Sequence, residues 1–406
     1  MRPNRILEKA YRESVAVGKN TAISETRQLL EKRKKRFKLF LINSKVDMPF
    51  LLLTLLLLIL GLIMLFSASH PNAYHFHKGN SYYFIKSQAI WAILGVVTLF
   101  FMSYLDYHHF HKLAVPILCI STILLALVLC MPVRNGVHRW ISLGPVSFQA
   151  SEVSKFAIVL SFAHFISINF KRMNKFKYGV IPYAAILAIT AFLLYLEPHI
   201  SCIIIVVLLA GGMLYIGGVK LRWFGVVLIV ALAAVGYLIL SNKLSYASAR
   251  VINWLDPFNP NVNNWQTKQG LYAIGSGGFW GLGLGQSRQK HLFIPDPHND
   301  FIFAVVCEEL GFLGAFIILL IFSMLVWRGI VISMRAKDKF GALLGIGLTA
   351  QMALQVILNI FVVTNTIPNT GISLPFFSYG GTALVMLLAQ MGIILSISRN
   401  VNLEKT

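Results

Sequence analysis

Carboxylates are scarce in this chain, which holds 15 Asp and Glu against 36 Lys and Arg among 406 residues. Charged side chains of both signs make up 13% of it, about half the share usual in a soluble domain, while 57% of its residues are hydrophobic. That balance excludes an ordinary water-soluble core, and apolar runs of about 20 residues recurring along the chain mark an integral membrane protein. Cysteine is scarce too. Cys119, Cys130, Cys202 and Cys307 all lie in apolar stretches, with neither metal-ligand spacing nor the pattern of a disulfide framework, so they read as packing residues.

Ten apolar spans are predicted, near residues 49–69, 88–105, 113–131, 151–170, 180–196, 200–217, 225–241, 300–327, 341–363 and 382–398. The fold class is therefore all-α: a polytopic integral membrane protein of about ten transmembrane helices, with a large extracellular loop, 242–299, between helices 7 and 8. With the N-terminus in the cytoplasm, 26 of the 36 Lys and Arg fall on cytoplasmic segments, nine fall outside and Lys155 lies within a span. The net charge of +21 then faces anionic lipid headgroups rather than nucleic acid. The expected organisation is a basic cytoplasmic N-terminal tail over 1–46, a ten-helix membrane domain over 47–400 and a short cytoplasmic C-terminal tail over 401–406. The tail carries "EKRKKRFKLF", either a solvated basic stop signal or a surface helix with Phe37, Leu39 and Phe40 as its apolar contacts. No small-residue cleavage site follows the first apolar run, which reads as a retained span rather than a signal peptide.

Within the long outer loop, Trp254, Trp265 and Trp280 suggest segments at the membrane interface, and "AIGSGGFWGLGLGQSRQK" packs six glycines between Gly275 and Gly285. A nucleotide-binding reading of these glycines lacks its strand and its βαβ unit. A tightly packed loop and a ligand-facing loop both remain, with Arg288, Gln289 and Lys290 pointing to an anionic ligand. Residues 367–381, "IPNTGISLPFFSYGG", hold no Lys, Arg, Asp or Glu but two prolines and three glycines, the pattern of a re-entrant or cavity-lining segment that includes Ser378.

Four of the scarce carboxylates, Asp296, Asp300, Glu308 and Glu309, fall in "FIPDPHNDFIFAVVCEELG". Pro295 and Pro297 should keep Asp296 extended, so that a helix starts near Asn299 or Asp300. Asp300 is then either a helix cap or a chemical group. Glu308 and Glu309 would lie roughly 12 to 14 Å further along, inside the hydrocarbon, and so must be neutral, paired or facing a polar cavity; a buried polar network is the expectation. Glu152 and Lys155, three apart at the start of a span, can pair on one helix face. Arg139 and Lys155 are candidates to neutralise Glu308, Glu309 or a phosphate.

Three separated stretches, "HRWISLG...FQASEVSK", "AIGSGGFWGLGLGQSRQKHLFIPDPHNDFIFAVVCEELGFLG" and "NTGISLPFFSYGGTAL", resemble the signatures of the SEDS family (shape, elongation, division and sporulation), the FtsW/RodA group. The wording "GLGQSRQKHLFIP" looks like the FtsW or sporulation branch. The resemblance implies a bacterial peptidoglycan glycosyltransferase that polymerises lipid II at the outer membrane face, in division, elongation or sporulation, beside a class B penicillin-binding protein and other division proteins. It matches Asp300 to an acid held to be essential. Asp296, Asn299 and Ala150 depart from the family's usual Glu, Thr and Pro, and His199 stands where many relatives have Asp.

The implied chemistry is inverting displacement of undecaprenyl pyrophosphate, with Asp300 as the base that takes a proton from the attacking sugar hydroxyl. Arg139, Lys155, Lys290, Glu152, His298 and Ser378 are the candidate substrate-binding residues. A divalent cation, magnesium or manganese, is the candidate cofactor, although no metal site is legible and His298 beside Asp300 is the nearest hint. The same features fit a lipid II flippase, or a scaffold for a penicillin-binding protein. The expected location is the bacterial cell membrane, with both termini cytoplasmic and the division septum as the working site.

Overall fold

The computed structural model describes residues 45–131, 139–143, 146–225, 254–258 and 264–400. Among the described residues the chain is almost wholly helical. In order come α1 (Met48–Phe76), α2 (Tyr83–Tyr104), α3 (His108–Val128), a hairpin of β1 (Trp140–Leu143) and β2 (Val146–Gln149), α4 (Ala150–Asn169), α5 (Ile181–Leu196), α6 (Ile200–Ile216), α7 (Trp265–Gly277), α8 (Ile302–Met334), α9 (Lys339–Val363) and α10 (Gly381–Arg399). Eight helical segments are long and apolar enough to cross a membrane, and α6 is a shorter apolar helix of 17 residues. Nine of the ten expected spans therefore fall on described helices. The seventh, 225–241, lies outside the described residues but for its first position, as do residues 1–44 and 401–406 of the two tails.

The helices form because apolar chain in hydrocarbon must satisfy its own backbone groups. Interior and peripheral helices separate clearly: 61–67% of the apolar windows of α4, α9 and α10 is buried, against 22% for α2 and α3. α10 packs on α2, α3 on α4, α8 on α9 and α1, and α6 on α4 and α9. At one end of the bundle Asp47 caps α1 through the Phe50 N–H at 3.0 Å and takes two bonds from Arg328 of α8 at 3.0 and 2.7 Å. Asp338 caps α9 there through the Gly341 N–H and accepts the Tyr107 hydroxyl.

The other end is built differently. The antiparallel hairpin, pairing Trp140 with Gln149, was not expected from sequence. Residues 367–380 are irregular and dip inward: a methyl group on Gly61 would meet the Phe376 carbonyl at 2.3 Å, and Gly61 lies fifteen residues, roughly 22 Å, before the end of α1. Phe376 and Phe377 are buried there. This is the geometry of a re-entrant segment, with irregular backbone sheltered by protein at membrane depth.

α8 is broken at Gly311, whose φ of 68° and ψ of −171° are not helical. The break frees backbone groups on both sides, and the glycine-rich turn after α7 supplies their partners. Leu282 and Gly283 donate to the Glu308 and Glu309 carbonyls at 2.9 Å, while Phe312 and Leu313 donate to the Gly278 and Phe279 carbonyls at 2.9 and 3.1 Å. A Cβ on Gly281, where φ is 81°, would come 2.2 Å from the Glu309 carbonyl. The glycine density thus belongs to close packing of backbone on backbone.

Candidate active site

A cavity of about 460 Å³ opens among α4, α6, α9, α10, the hairpin and the re-entrant segment. Asp300, Arg139, Glu152, Lys155 and Ser378 all line it. Five residues singled out from separate stretches of sequence therefore share one space. Gln351 lies twelve residues before the end of α9 and Gln390 nine residues into α10, so the cavity reaches roughly 14 to 18 Å into the bundle.

Asp300 sits on a tightly fixed loop. The Tyr379 N–H donates to the His298 carbonyl at 2.9 Å, the Ser378 hydroxyl to the Asn299 carbonyl at 2.8 Å, and the Asn359 amide to the Asp300 carbonyl at 2.8 Å and the Ile372 carbonyl at 2.6 Å. Held this way, the chain enters α8 later than expected, with Phe301 as the cap residue and no side-chain capping bond. Asp300 is thus not the cap. Asp296 is not extended either, with a φ of 45°, because the loop turns back toward α1, where Asn72 reaches its carboxylate at 3.5 Å. The Asp300 carboxylate lies under Gly371: φ there is 70°, and a methyl group would stand 3.1 Å from Oδ2. A glycine at 371 leaves room above the carboxylate.

Lys155 pairs with Glu152 at 2.7 Å, both nearly buried. Arg139 bridges from the hairpin to the α5–α6 turn, donating to the carbonyls of Glu197, at 3.3 Å, and Pro198. The Glu197 carboxyl is enclosed without a hydrogen-bond partner among the described residues, and burial pushes its pKa up to about 8 against the opposing charge of Arg139.

Two candidate substrate ligands are spent elsewhere. Lys290 does not line the cavity; its ammonium meets Glu309 at 2.8 Å, Ser67 at 3.1 Å and the Gly285 carbonyl at 2.6 Å. His298 is buried against Phe84, ring centroids 4.1 Å apart, and burial lowers its pKa to about 4 against the pull of Asp296. Ser378 lines the cavity, but its oxygen also accepts the Leu374 N–H at 2.7 Å, so it pins backbone on both sides.

Glu308 and Glu309 are closed off from this space. Glu309 takes the Ser67 hydroxyl at 2.7 Å and Lys290; Glu308 takes the Arg288 and Gln289 N–H groups at 3.0 and 3.3 Å, and the hydroxyls of Ser276, at 3.3 Å, and Ser287. Neither Arg139 nor Lys155 reaches them, because the glycine turn brings its own cation and its own backbone donors.

Sequence reading passed over Gln351, Gln355, Asn359 and Gln390. A signal was available: Gln351, Gln355 and Asn359 recur every four residues, one polar stripe along an apolar helix.

Residues 48–403 match the sequence pattern of the FtsW, RodA and SpoVE cell cycle protein family. Stage V sporulation protein E of Bacillus subtilis is 39% identical over 362 residues, 88% of this chain and 98% of that protein. A protein of Trichlorobacter lovleyi named probable peptidoglycan glycosyltransferase FtsW is 36% identical over 380 residues, 92% of this chain and 98% of its own. Among solved structures, a chain from a peptidoglycan synthase complex that coordinates polymerization and crosslinking superimposes with a TM-score of 0.74 at 26% identity, covering 87% of this chain and 98% of that one. The rod shape determining protein RodA of Thermus thermophilus gives a TM-score of 0.65 at 24% identity over 88% of this chain and 98% of its own, a likeness of fold.

Proposed function

The chain belongs to the FtsW, RodA and SpoVE cell cycle protein family, and from that premise we propose that it is a multi-pass peptidoglycan glycosyltransferase of the bacterial cell membrane, polymerising lipid II into glycan strands. The observation that carries the mechanism is the position of Asp300 on the wall of a polar cavity that also holds Arg139 and the Glu152–Lys155 pair. In this reading the Asp300 end of the bundle faces outward, both termini are cytoplasmic, and division or sporulation is the process served.

The acceptor sugar's hydroxyl attacks the anomeric carbon of the donor, and Asp300 takes its proton as the new bond forms. The bond from that carbon to the diphosphate breaks, leaving its electron pair on a phosphate oxygen. A single displacement inverts the anomeric centre and needs no covalent enzyme intermediate. Arg139 and Lys155 supply positive charge toward the leaving oxygen, and Glu152 holds the Lys155 ammonium in place at 2.7 Å. Ser378 and Asn359 keep the loop bearing Asp300 from moving, which matters because rate depends steeply on the distance of attack.

Among the described residues no three His, Cys, Asp or Glu side chains gather as metal ligands. A magnesium or manganese ion would have Asp300 or Glu152 as the carboxylate to hold it on this wall, and it would supply charge neutralisation for the leaving group. The polyprenyl chain lies along the apolar helices, and a class B penicillin-binding protein is the partner that receives the strands for crosslinking.

The depth of the cavity also suits a lipid II flippase, which would need a polar path at membrane depth. Purified protein with its partner, supplied with lipid II in detergent, separates the two. Glycan strands on a gel are expected, since polymerisation needs no sealed membrane; intact lipid II from an active, folded preparation would favour transport.

A further inference from the structure

Two histidines meet at the end of the bundle opposite the cavity. His111 lies three residues into α3 and His164 five residues before the end of α4, and their Nδ1 atoms are 2.9 Å apart. α3 packs on α4, so the pair joins a peripheral helix to an interior one. Both rings are partly exposed, and Phe340 of α9 closes one side, its ring centroid 4.5 Å from that of His111. Neither residue takes part in the reaction proposed above.

The proton positions follow from the neighbours. The Ser167 hydroxyl donates to the His164 carbonyl at 2.7 Å, which leaves its oxygen as the acceptor for the Nε2–H of His111 at 3.4 Å. Neutral His111 therefore carries its proton on Nε2 and presents the lone pair of Nδ1 to His164. In the free protein that lone pair accepts the Nδ1–H of His164. The rings do not meet end to end, as the best N–H···N geometry asks: their centroids are only 4.3 Å apart and their planes cross at 71°. Two angled imidazoles at this spacing match one edge of a metal ion's ligand shell, since with metal–nitrogen bonds of about 2.0 to 2.1 Å a square or tetrahedral edge is roughly 2.8 to 3.4 Å long. An Nε2–H held by an oxygen is also how a metal-bound imidazole is usually oriented.

We propose that His111 and His164 bind a zinc ion through their Nδ1 atoms and so clamp α3 to α4. His164 then carries its proton on Nε2 instead of Nδ1, so both rings ligate in the neutral form and the number of protons on the protein is unchanged. Among the described residues no third His, Cys, Asp or Glu stands with them, and water completes the shell. Imidazole nitrogen suits zinc, whereas magnesium takes oxygen, so this site is distinct in chemistry as well as place from a cation on the cavity wall. The clamp steadies α4, whose other end carries Glu152 and Lys155 at the cavity. Because zinc binds the joined pair and not the separated helices, it stabilises the folded bundle by mass action.

The test reads binding and stability with zinc alone. Tag-free full-length protein in detergent, stripped of metal with EDTA and then freed of the chelator, is titrated with zinc chloride, and bound metal is counted by equilibrium dialysis. Wild type is expected to hold one zinc ion more than His111→Ala or His164→Ala, and its thermal midpoint should rise with zinc while theirs stay flat. Surface histidines such as His75 are common to all the proteins and cancel in the comparison. His111→Phe and His164→Phe guard against lost packing, since each keeps a ring and lacks the nitrogen; both should fold and lose the same ion. Ser167→Ala should keep the site but weaken it about ten- to a hundredfold, the usual worth of a partner that orients a metal-bound imidazole. Magnesium at the same concentrations should give no difference between wild type and variants. Folded variants that bind zinc and gain stability from it as wild type does would overturn the proposal, and a magnesium response that depends on both histidines would overturn the choice of metal.

Discussion

Two groups of acids lie eight residues apart on one stretch of chain and have opposite surroundings. Glu308 and Glu309 are enclosed by Lys290, serine hydroxyls and main-chain N–H groups of the glycine turn, all within the protein. Asp300 has its main chain fixed by Asn359 while its carboxylate stands on a cavity wall beneath a glycine. A network closed off inside the protein stabilises the break in α8, whereas Asp300 borders a space that a ligand can enter. Burial and scarcity alone do not distinguish structural acids from chemical ones; the space each one borders does.

The comparison can be broken most severely at Gly281. Gly281→Val would drive a branched side chain into the Glu309 carbonyl at a φ of 81°, and loss of monodisperse folded protein on size-exclusion chromatography is expected. Lys290→Met removes the cation and leaves Glu309 buried; a destabilisation of about 3 to 5 kcal/mol should appear as a lowered thermal midpoint. On the cavity side, Asn359→Ala releases two carbonyls and should cost about 1 to 3 kcal/mol, with a fall in polymerisation rate and little change in lipid II affinity.

A pH dependence offers a further test. The folded pKa of Glu197 lies near 8, above its ordinary value of 4.5, so the folded state binds the extra proton between those limits. Stability from this group is fully present below about pH 4.5 and is lost as pH rises toward 8, by at most ~1.4 kcal/mol per unit. The thermal midpoint of wild type should fall between pH 5 and 8 relative to Glu197→Gln, which lacks the titration.

Most of the membrane architecture was legible because hydrophobic length is a local property, and nine spans fell near their expected positions. Asp300, Glu152, Lys155 and Arg139 were legible as scarce charges beside apolar chain. The fates of Lys290 and His298 were not, since they depend on how the 278–299 turn folds back onto α8 and α1, a long-range packing outcome. The start of α8 was misplaced by two residues or so because donors from α9 and the re-entrant segment, far off in sequence, hold the carbonyls of 298–300. His111 and His164 did not stand out at all, since they lie on different helices and their meeting needed coordinates.

The most direct test of the division between the two groups of acids sets Asp300→Asn beside Glu308→Gln, measuring lipid II polymerisation and thermal midpoint on the same purified preparations. Asp300→Asn should lose about 10²- to 10⁴-fold in rate, the usual worth of a general base, with an unchanged midpoint. Glu308→Gln should lower the midpoint while the folded fraction keeps its rate per molecule. Near-normal synthesis by Asp300→Asn, or lost synthesis by a Glu308→Gln protein of full stability, would contradict the account and move the reaction centre to the enclosed pair.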